Sequence, residues 1–133
     1  MIYLDTAALV KLVRREVSSD ELADWLDEQE DRLLVSSALA EVELPRALRR
    51  SEPALLTSAP VVLSRIGVCD IDPAVRTAAA AYDEPSLRAL DAIHLATAEL
   101  VIGDDLTAFV TYDRRLLAAA KAIGLPVKSP GLS

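Results

Sequence analysis

The sequence is poor in the residues that build disulfide frameworks and zinc sites, with one cysteine and one histidine among 133 residues. Its single thiol, Cys69, cannot form an internal disulfide and has no second thiol with which to bind zinc. The surrounding residues, GVCDI, form a short apolar segment. Cys69 is therefore predicted to be a buried strand thiol without a catalytic role.

Long hydrophobic runs and linker segments are missing as well. No window approaches the roughly 20 apolar residues that a transmembrane helix needs, and residues 1–5 lack the charged and apolar regions of a signal peptide. We therefore expect a cytoplasmic protein with no membrane partner. The four glycines and seven prolines are scattered, so residues 1–133 are predicted to form a single domain with a substantial apolar core.

The net charge of −7 argues at first against a nucleic-acid partner, because binding to a phosphate backbone requires positive surface. Seven of the acidic residues, however, lie within residues 20–31, where no basic residue occurs. This run is predicted to be the solvated face of a helix. The rest of the chain has as many basic as acidic residues, so the acidic total does not exclude RNA binding.

Short β-prone segments alternate with segments of helical periodicity. Strands are predicted at 2–4, 33–35, 68–71 and 107–111, with a short last strand from Val127. Helices are predicted over 7–13, after a cap at 18–20, from 36 to 50, and over 53–65, 74–82, 90–102 and 114–123. The alternation indicates an α/β protein, a mostly parallel sheet with helices on both faces.

Pro45 disturbs the predicted helix that ends near Arg50. Inside a helix a proline removes one backbone hydrogen bond and costs about 3 kcal/mol. We therefore expect a kink or a new helix start at this residue.

Two aspartates, Asp5 and Asp113, follow predicted strands at the sheet edge where ligands bind in parallel α/β proteins. Each could instead simply cap the next helix. Asp91 lies on an apolar helical face, where a carboxylate costs several kcal/mol unless it is paired or bound to metal. A salt bridge with Arg88 is its structural alternative.

A fourth carboxylate is expected from Glu43, with Glu41 as the competing residue. Converging carboxylates repel one another unless a cation lies between them. Mg²⁺ and Mn²⁺ prefer carboxylate and water oxygens, and a pair of ions about 4 Å apart can stabilise phosphoryl displacement. The combination predicts hydrolysis by metal-activated water. His94 is expected to be a buried, hydrogen-bonded structural histidine rather than a catalytic base.

Three segments closely resemble the PIN-domain ribonuclease toxins of VapC type: YLDTAALVKL (3–12), LRALDAIHLATA (87–98) and FVTYDRRL (109–116). The resemblance implies a three-layer α/β/α sandwich. It also implies a Mg²⁺- or Mn²⁺-dependent endoribonuclease that acts on structured RNA such as transfer or ribosomal RNA. The family's catalytic and metal-binding carboxylates would be Asp5, Glu43, Asp91 and Asp113.

The same resemblance gives Thr111 a supporting role through its hydroxyl, and makes Asp5 and Asp91 the main metal ligands. The chain departs from the family pattern at Ala7, where a serine is common, and at Pro45. Candidate RNA contacts are the basic residues near the proposed site: Lys11, Arg14, Arg15, Arg46, Arg49, Arg50, Arg114 and Arg115.

Partners are implied by the resemblance alone. Such toxins form homodimers and bind a small VapB-type antitoxin, which gives a heterotetramer or a larger assembly. The antitoxin packs in an apolar groove and places a basic side chain at the acidic site. Trp25 and Leu26 could contribute to such a groove or could belong to an ordinary core stripe.

Two other functions fit parts of the pattern. A phosphatase would use the aspartate after the first strand as a nucleophile and would need a second acid two residues later, where Ala7 stands. A non-cleaving PIN-like module that binds RNA or protein would be marked by a missing acid. All four acids are present, which favours catalysis.

Overall fold

Five parallel strands form one sheet in the computed structural model, which describes residues 1–132. The strands are β1 (Ile2–Leu4), β2 (Leu34–Ser37), β3 (Gly67–Cys69), β4 (Ala108–Val110) and β5 (Val127–Lys128). Their order across the sheet is β3-β2-β1-β4-β5, and each neighbouring pair runs parallel. The predicted parallel α/β architecture is confirmed.

Helices connect the strands. Within the described residues the α-helices are α1 (Thr6–Val13), α2 (Ser19–Glu28), α3 (Ala40–Ser51), α4 (Ala59–Leu63), α5 (Pro73–Ala81), α6 (Ala89–Ala96) and α7 (Arg114–Ala122). A 3-10 helix, Pro53–Ser58, precedes α4, and a π-helical segment, Thr97–Ile102, continues α6. No helix in residues 1–132 is both long enough and apolar enough to cross a bilayer.

The alternation of side chains along the strands places a core on each side of the sheet. Ile2 and Leu4 pack with buried residues of the first four helices, including Leu9 and Leu44. Tyr3 points to the opposite face, where its cluster includes residues of α6 and α7. The result is the expected three-layer α/β/α sandwich.

Pro45 does not start a new helix, which was one of the two predicted effects. Helix α3 begins five residues before it and continues to Ser51 without a new start. The hydrogen bond that the proline cannot donate would go to the carbonyl of Glu41, which is an exposed residue. Burial of Leu44 and Leu48, both fully inaccessible, stabilises the helix on either side of the proline.

Cys69 is also more exposed than predicted, because β3 is an edge strand. The thiol is only half-buried, and Val68 beside it is 38% exposed. Partial burial, together with the nearby Asp70 carboxylate, raises the pKa of the Cys69 thiol. The raised pKa favours the protonated thiol.

Strand β1 lies at the switch point of the sheet. The chain passes from β1 to β2 on one side, and later places β4 on the other side of β1. Such a reversal opens a crevice at the carboxyl ends of the two central strands. Asp5 follows β1, and Thr111 and Asp113 follow β4.

Candidate active site

The four predicted carboxylates all line one cleft of about 420 Å³ at this crevice. Asp5 and Asp113 come from the ends of β1 and β4, whereas Glu43 and Asp91 project from α3 and α6. Glu41 is exposed and lies outside the cleft lining. The structure therefore places Glu43, and not Glu41, beside the other three acids.

Asp5 is almost completely buried, with 4% of its surface exposed. Its Oδ1 accepts the backbone N–H of Ala8 at 2.9 Å, which caps α1, and its Oδ2 accepts the Thr111 hydroxyl at 2.6 Å. Burial raises the pKa of Asp5, and the Asp91 charge adds to this, although His94, Thr111 and Ala8 act in the opposite direction. The capping role expected as an alternative is real, and it leaves the carboxylate inside the cleft.

Thr111 connects Asp5 to the start of α7. Its hydroxyl donates to Asp5 and also accepts the backbone N–H of Asp113 at 3.2 Å. Asp113 in turn caps α7, since its Oδ1 accepts the N–H groups of Arg115 and Leu116 at 2.8 and 3.1 Å. One buried hydroxyl thus fixes two of the acidic residues relative to each other.

Asp91 lies in the first turn of α6 and is half-buried. Desolvation raises the pKa of Asp91, and the charges of Asp113 and Glu43 raise it further, whereas those of His94 and Arg88 act in the opposite direction. The Arg88 salt bridge considered from the sequence is not among the ion pairs found within residues 1–132. Asp91 is therefore held close to other negative charges without an ionic partner to offset them.

Glu43 is held differently from the three aspartates. Its Oε1 accepts the Thr6 hydroxyl at 2.5 Å and is 2.9 Å from His94 Nε2. Burial alone would raise the pKa of Glu43, but the hydrogen bonds from His94 and Thr6 outweigh it and lower that pKa. These hydrogen bonds therefore favour the ionised form of Glu43, in contrast to Asp5 and Asp91, whose pKa values are raised.

The predicted burial and hydrogen bonding of His94 are confirmed, since its side chain is 2% exposed and hydrogen-bonded to Tyr3. What sequence reasoning missed is its set of partners, Tyr3 and Thr6 in addition to Glu43. Thr6 could have been suspected from its place beside Asp5. Tyr3 gave no signal, because it lies 91 positions away in the chain.

The basic residues differ in their surroundings: some line the cleft, some pair with acids and the others are exposed. Arg14 and Arg50 line the cleft, as does Arg88, which was not among the predicted RNA contacts. Lys11 and Arg14 both pair with Glu16, at 3.2 and 2.6 Å, and Arg15 pairs with Asp20 at 2.6 Å. The remaining candidates are exposed on α3 or at the start of α7: Arg46, Arg49, Arg114 and Arg115.

The cleft has the oxygen donors that a hard divalent cation prefers, but it is not a closed cage. No group of three or more Asp, Glu, His or Cys side chains within residues 1–132 is gathered tightly enough to hold an ion by itself. Mg²⁺ usually keeps several waters and takes one or two protein carboxylates. An open cleft with mutually repelling acids fits that mode of binding, because a cation would relieve the repulsion.

The fold and this acidic cleft define the chain as a PIN-domain protein, and the model of that family, "PIN domain", matches residues 2–122. The chain is 54% identical over 132 residues to Ribonuclease VapC35 of Mycobacterium tuberculosis, covering 98% of both chains. It belongs to the VapC family of PIN-domain ribonucleases.

Solved structures share the fold at lower sequence identity. VapC20 of M. tuberculosis superimposes with a TM-score of 0.72 and 15% identity, covering 94% of this chain and 96% of that one. VapBC2 from Rickettsia felis gives a TM-score of 0.69 and 15% identity, with 98% and 99% covered. These likenesses support the α/β/α architecture.

The raised pKa of Asp91 predicts that its charge destabilises the metal-free protein. A carboxyl whose pKa is higher in the folded state contributes stability at low pH and loses it as pH rises through the folded pKa. Asp91→Asn should therefore raise the melting temperature of metal-free protein at pH 8. The gain should shrink towards zero as the pH falls to about 4, near the ordinary carboxyl pKa.

Thermal unfolding in EDTA across this pH range measures the effect. Asp83→Asn, which removes an exposed carboxylate from the α5–α6 loop, is the matched control and should change the melting temperature much less. A drop in melting temperature for Asp91→Asn at pH 8 would contradict the repulsion inferred from the geometry.

Proposed function

We propose that this chain is a divalent-metal-dependent endoribonuclease, and the toxin of a toxin–antitoxin pair. The observation that carries the proposal is the convergence of four carboxylates at the switch point of the sheet, in a chain 54% identical to a named ribonuclease. The phosphatase alternative lacks the second acid it needs, because Ala7 occupies that position.

In this proposal Asp5 and Asp91 are the main metal ligands, and Glu43 and Asp113 complete the acidic site. These residues would hold Mg²⁺ or Mn²⁺, and the bound cation would supply Lewis-acid chemistry to a water nucleophile and to the scissile phosphate. Asp5 is fixed by Ala8 and Thr111, so its oxygens need no rearrangement before they bind. Such preorganisation is what an electrostatic catalytic site requires.

RNA would approach over the basic residues at the cleft. Arg14, Arg50 and Arg88 line it, and Arg114 and Arg115 are exposed directly after Asp113. Contacts to phosphates position a nucleic acid without reading its sequence. The proposed substrate is a structured RNA such as transfer or ribosomal RNA; the relative VapC20 is described as a toxin that cleaves the sarcin-ricin loop.

Purified, partner-free protein should cleave total cellular RNA into discrete products with Mg²⁺ or Mn²⁺, and EDTA should abolish cleavage. Loss of outer-shell groups at metal sites typically costs about 10–100-fold. Asp5→Asn removes a proposed ligand and should therefore reduce the cleavage rate by at least about 100-fold. Gel analysis and sequencing of product ends measure both rate and position.

Asp72→Asn is the matched control, because Asp72 caps α5 in the same way, accepting the Val75 N–H at 2.8 Å, but lies outside the cleft. Its cleavage rate should remain within about twofold of the unmodified protein. Equal activity of Asp5→Asn would refute the assigned site. Absence of cleavage by folded protein with either metal would favour the non-cleaving binding module.

We also propose that the cognate VapB-type antitoxin binds a groove between α1, α2 and α4. Three charged residues, Asp27, Glu30 and Arg65, are part of its lining, and the rest of the lining is apolar: Leu12, Ala23, Leu26, Leu34, Val62 and Ile66. Trp25 and Leu26 are both half-buried against the core. Only Leu26 also lines the groove. A structural neighbour from Klebsiella pneumoniae, described as a toxin-antitoxin complex, supports a partner of this kind.

Leu26→Ala should weaken antitoxin binding by about tenfold, since loss of an apolar side chain at the centre of an interface costs more than about 1 kcal/mol. Calorimetry with purified antitoxin measures the change. Leu33→Ala, at a leucine that is 67% exposed outside the groove, should leave affinity unchanged. Equal effects of both variants would place the antitoxin elsewhere. The homodimer and its larger complex with antitoxin stay predictions.

A further inference from the structure

A buried hydrogen-bonded chain runs from the sheet to the cleft. The Tyr3 hydroxyl is 2.7 Å from His94 Nδ1, and His94 Nε2 is 2.9 Å from Glu43 Oε1. Tyr3 and His94 are 0% and 2% exposed. The chain therefore connects a fully buried strand residue to a carboxylate that lines the cleft.

The direction of these hydrogen bonds follows from the chemistry of the groups. An ionised carboxylate only accepts, so the bond to Glu43 requires a proton on His94 Nε2. In a neutral imidazole the other nitrogen, Nδ1, is then an acceptor, and the Tyr3 hydroxyl donates to it. The bond made at one ring nitrogen thus fixes the tautomer and the orientation presented at the other.

The geometry leaves one side of Glu43 available to the cleft. Both of its hydrogen bonds, from Thr6 and from His94, fall on Oε1. Within the part of the chain that the structure describes, Oε2 has no hydrogen-bond partner. The histidine also joins α6 to α3 across the mouth of the cleft, between residues 51 positions apart.

Tyr3 itself is held on both sides. Its ring stacks on Phe109 at a centroid distance of 5.3 Å and meets the His94 ring edge-on at 5.8 Å. Phe109 lies in β4, next to β1. The orientation of the histidine is therefore set by the two central strands from which Asp5 and Asp113 also emerge.

We propose that Tyr3 and His94 are positioning residues that fix the Glu43 carboxylate in the cleft, with Oε1 held and Oε2 directed to the reacting side. This inference rests on the proposed ribonuclease function. Neither residue needs to touch RNA or metal. Small displacements of a catalytic group can cost about 100-fold in rate. Holding the Glu43 carboxylate in place should therefore increase the rate of RNA cleavage.

Tyr3→Phe tests the proposal, because it removes only the hydroxyl and keeps the ring that stacks on Phe109. We expect kcat for RNA cleavage to fall by about 10–100-fold, the usual effect of removing an outer-shell partner, with KM for RNA unchanged. Tyr82→Phe is the matched control: it removes a hydroxyl that donates to the carboxylate of Glu99, outside the cleft. Its kcat should be unchanged.

A double-mutant cycle separates positioning from a general loss of stability. In a Glu43→Gln background, Tyr3→Phe should lower kcat by less than about twofold, because coupled residues are not additive. An equal loss in both backgrounds, or a Tyr3→Phe enzyme with full kcat, would overturn the proposal while leaving the ribonuclease function intact.

A readout independent of cleavage comes from the single histidine, since the chain gives one set of imidazole signals in a long-range ¹H–¹⁵N spectrum. In the unmodified protein we expect the proton on His94 Nε2. Tyr3→Phe should shift the ¹⁵N signal of Nδ1, and Glu43→Gln should shift that of Nε2. A ring with its proton on Nδ1 alone, or one insensitive to both variants, would overturn the proposal. If the wild-type protein is inactive but gives the expected spectrum, the proposed ribonuclease function is refuted. The role of Tyr3 and His94 in catalysis is then refuted as well.

Discussion

Repulsion between carboxylates gathered at one edge of the sheet is the constraint on which the rest of the site depends. Asp5 is buried, Asp91 lies near Asp113 and Glu43, and burial and mutual charge raise the pKa of both Asp5 and Asp91. Hydrogen bonds hold the acids in place without neutralising them, as the Thr111 hydroxyl does for Asp5. The site is therefore arranged at a cost in stability that a bound cation would offset.

The fold produces this arrangement through its strand order. Because β1 lies between β2 and β4, the loops after β1 and β4 open at the same crevice. The same aspartates that cap α1 and α7 thereby enter the cleft, so capping and a functional role coincide at Asp5 and Asp113. On the opposite face of β1, the Tyr3 hydroxyl is hydrogen-bonded to His94 of α6. His94 is in turn hydrogen-bonded to Glu43 of α3.

Features that depend on residues close together in the chain could be predicted from the sequence. Strand and helix periodicity indicated the parallel sheet and placed Asp5 and Asp113 at its edge. The choice between Glu41 and Glu43 could not be made this way, because it depends on which side of α3 packs on the core through Leu44 and Leu48. The continuity of α3 through Pro45 follows from the same packing and could not be predicted either. The same is true of the ion pairs of Lys11 and Arg14 with Glu16.

The most direct test of the account is a crystal structure of the protein grown with Mn²⁺ and recorded at a wavelength where manganese scatters anomalously. We expect an anomalous peak in the cleft, within coordination distance of the carboxylate oxygens of Asp5 and Asp91. The same crystals of Asp5→Asn should lose the peak. Manganese bound only along the acidic run of residues 20–31, with nothing in the cleft of the unmodified protein, would show that the cleft is not the metal site.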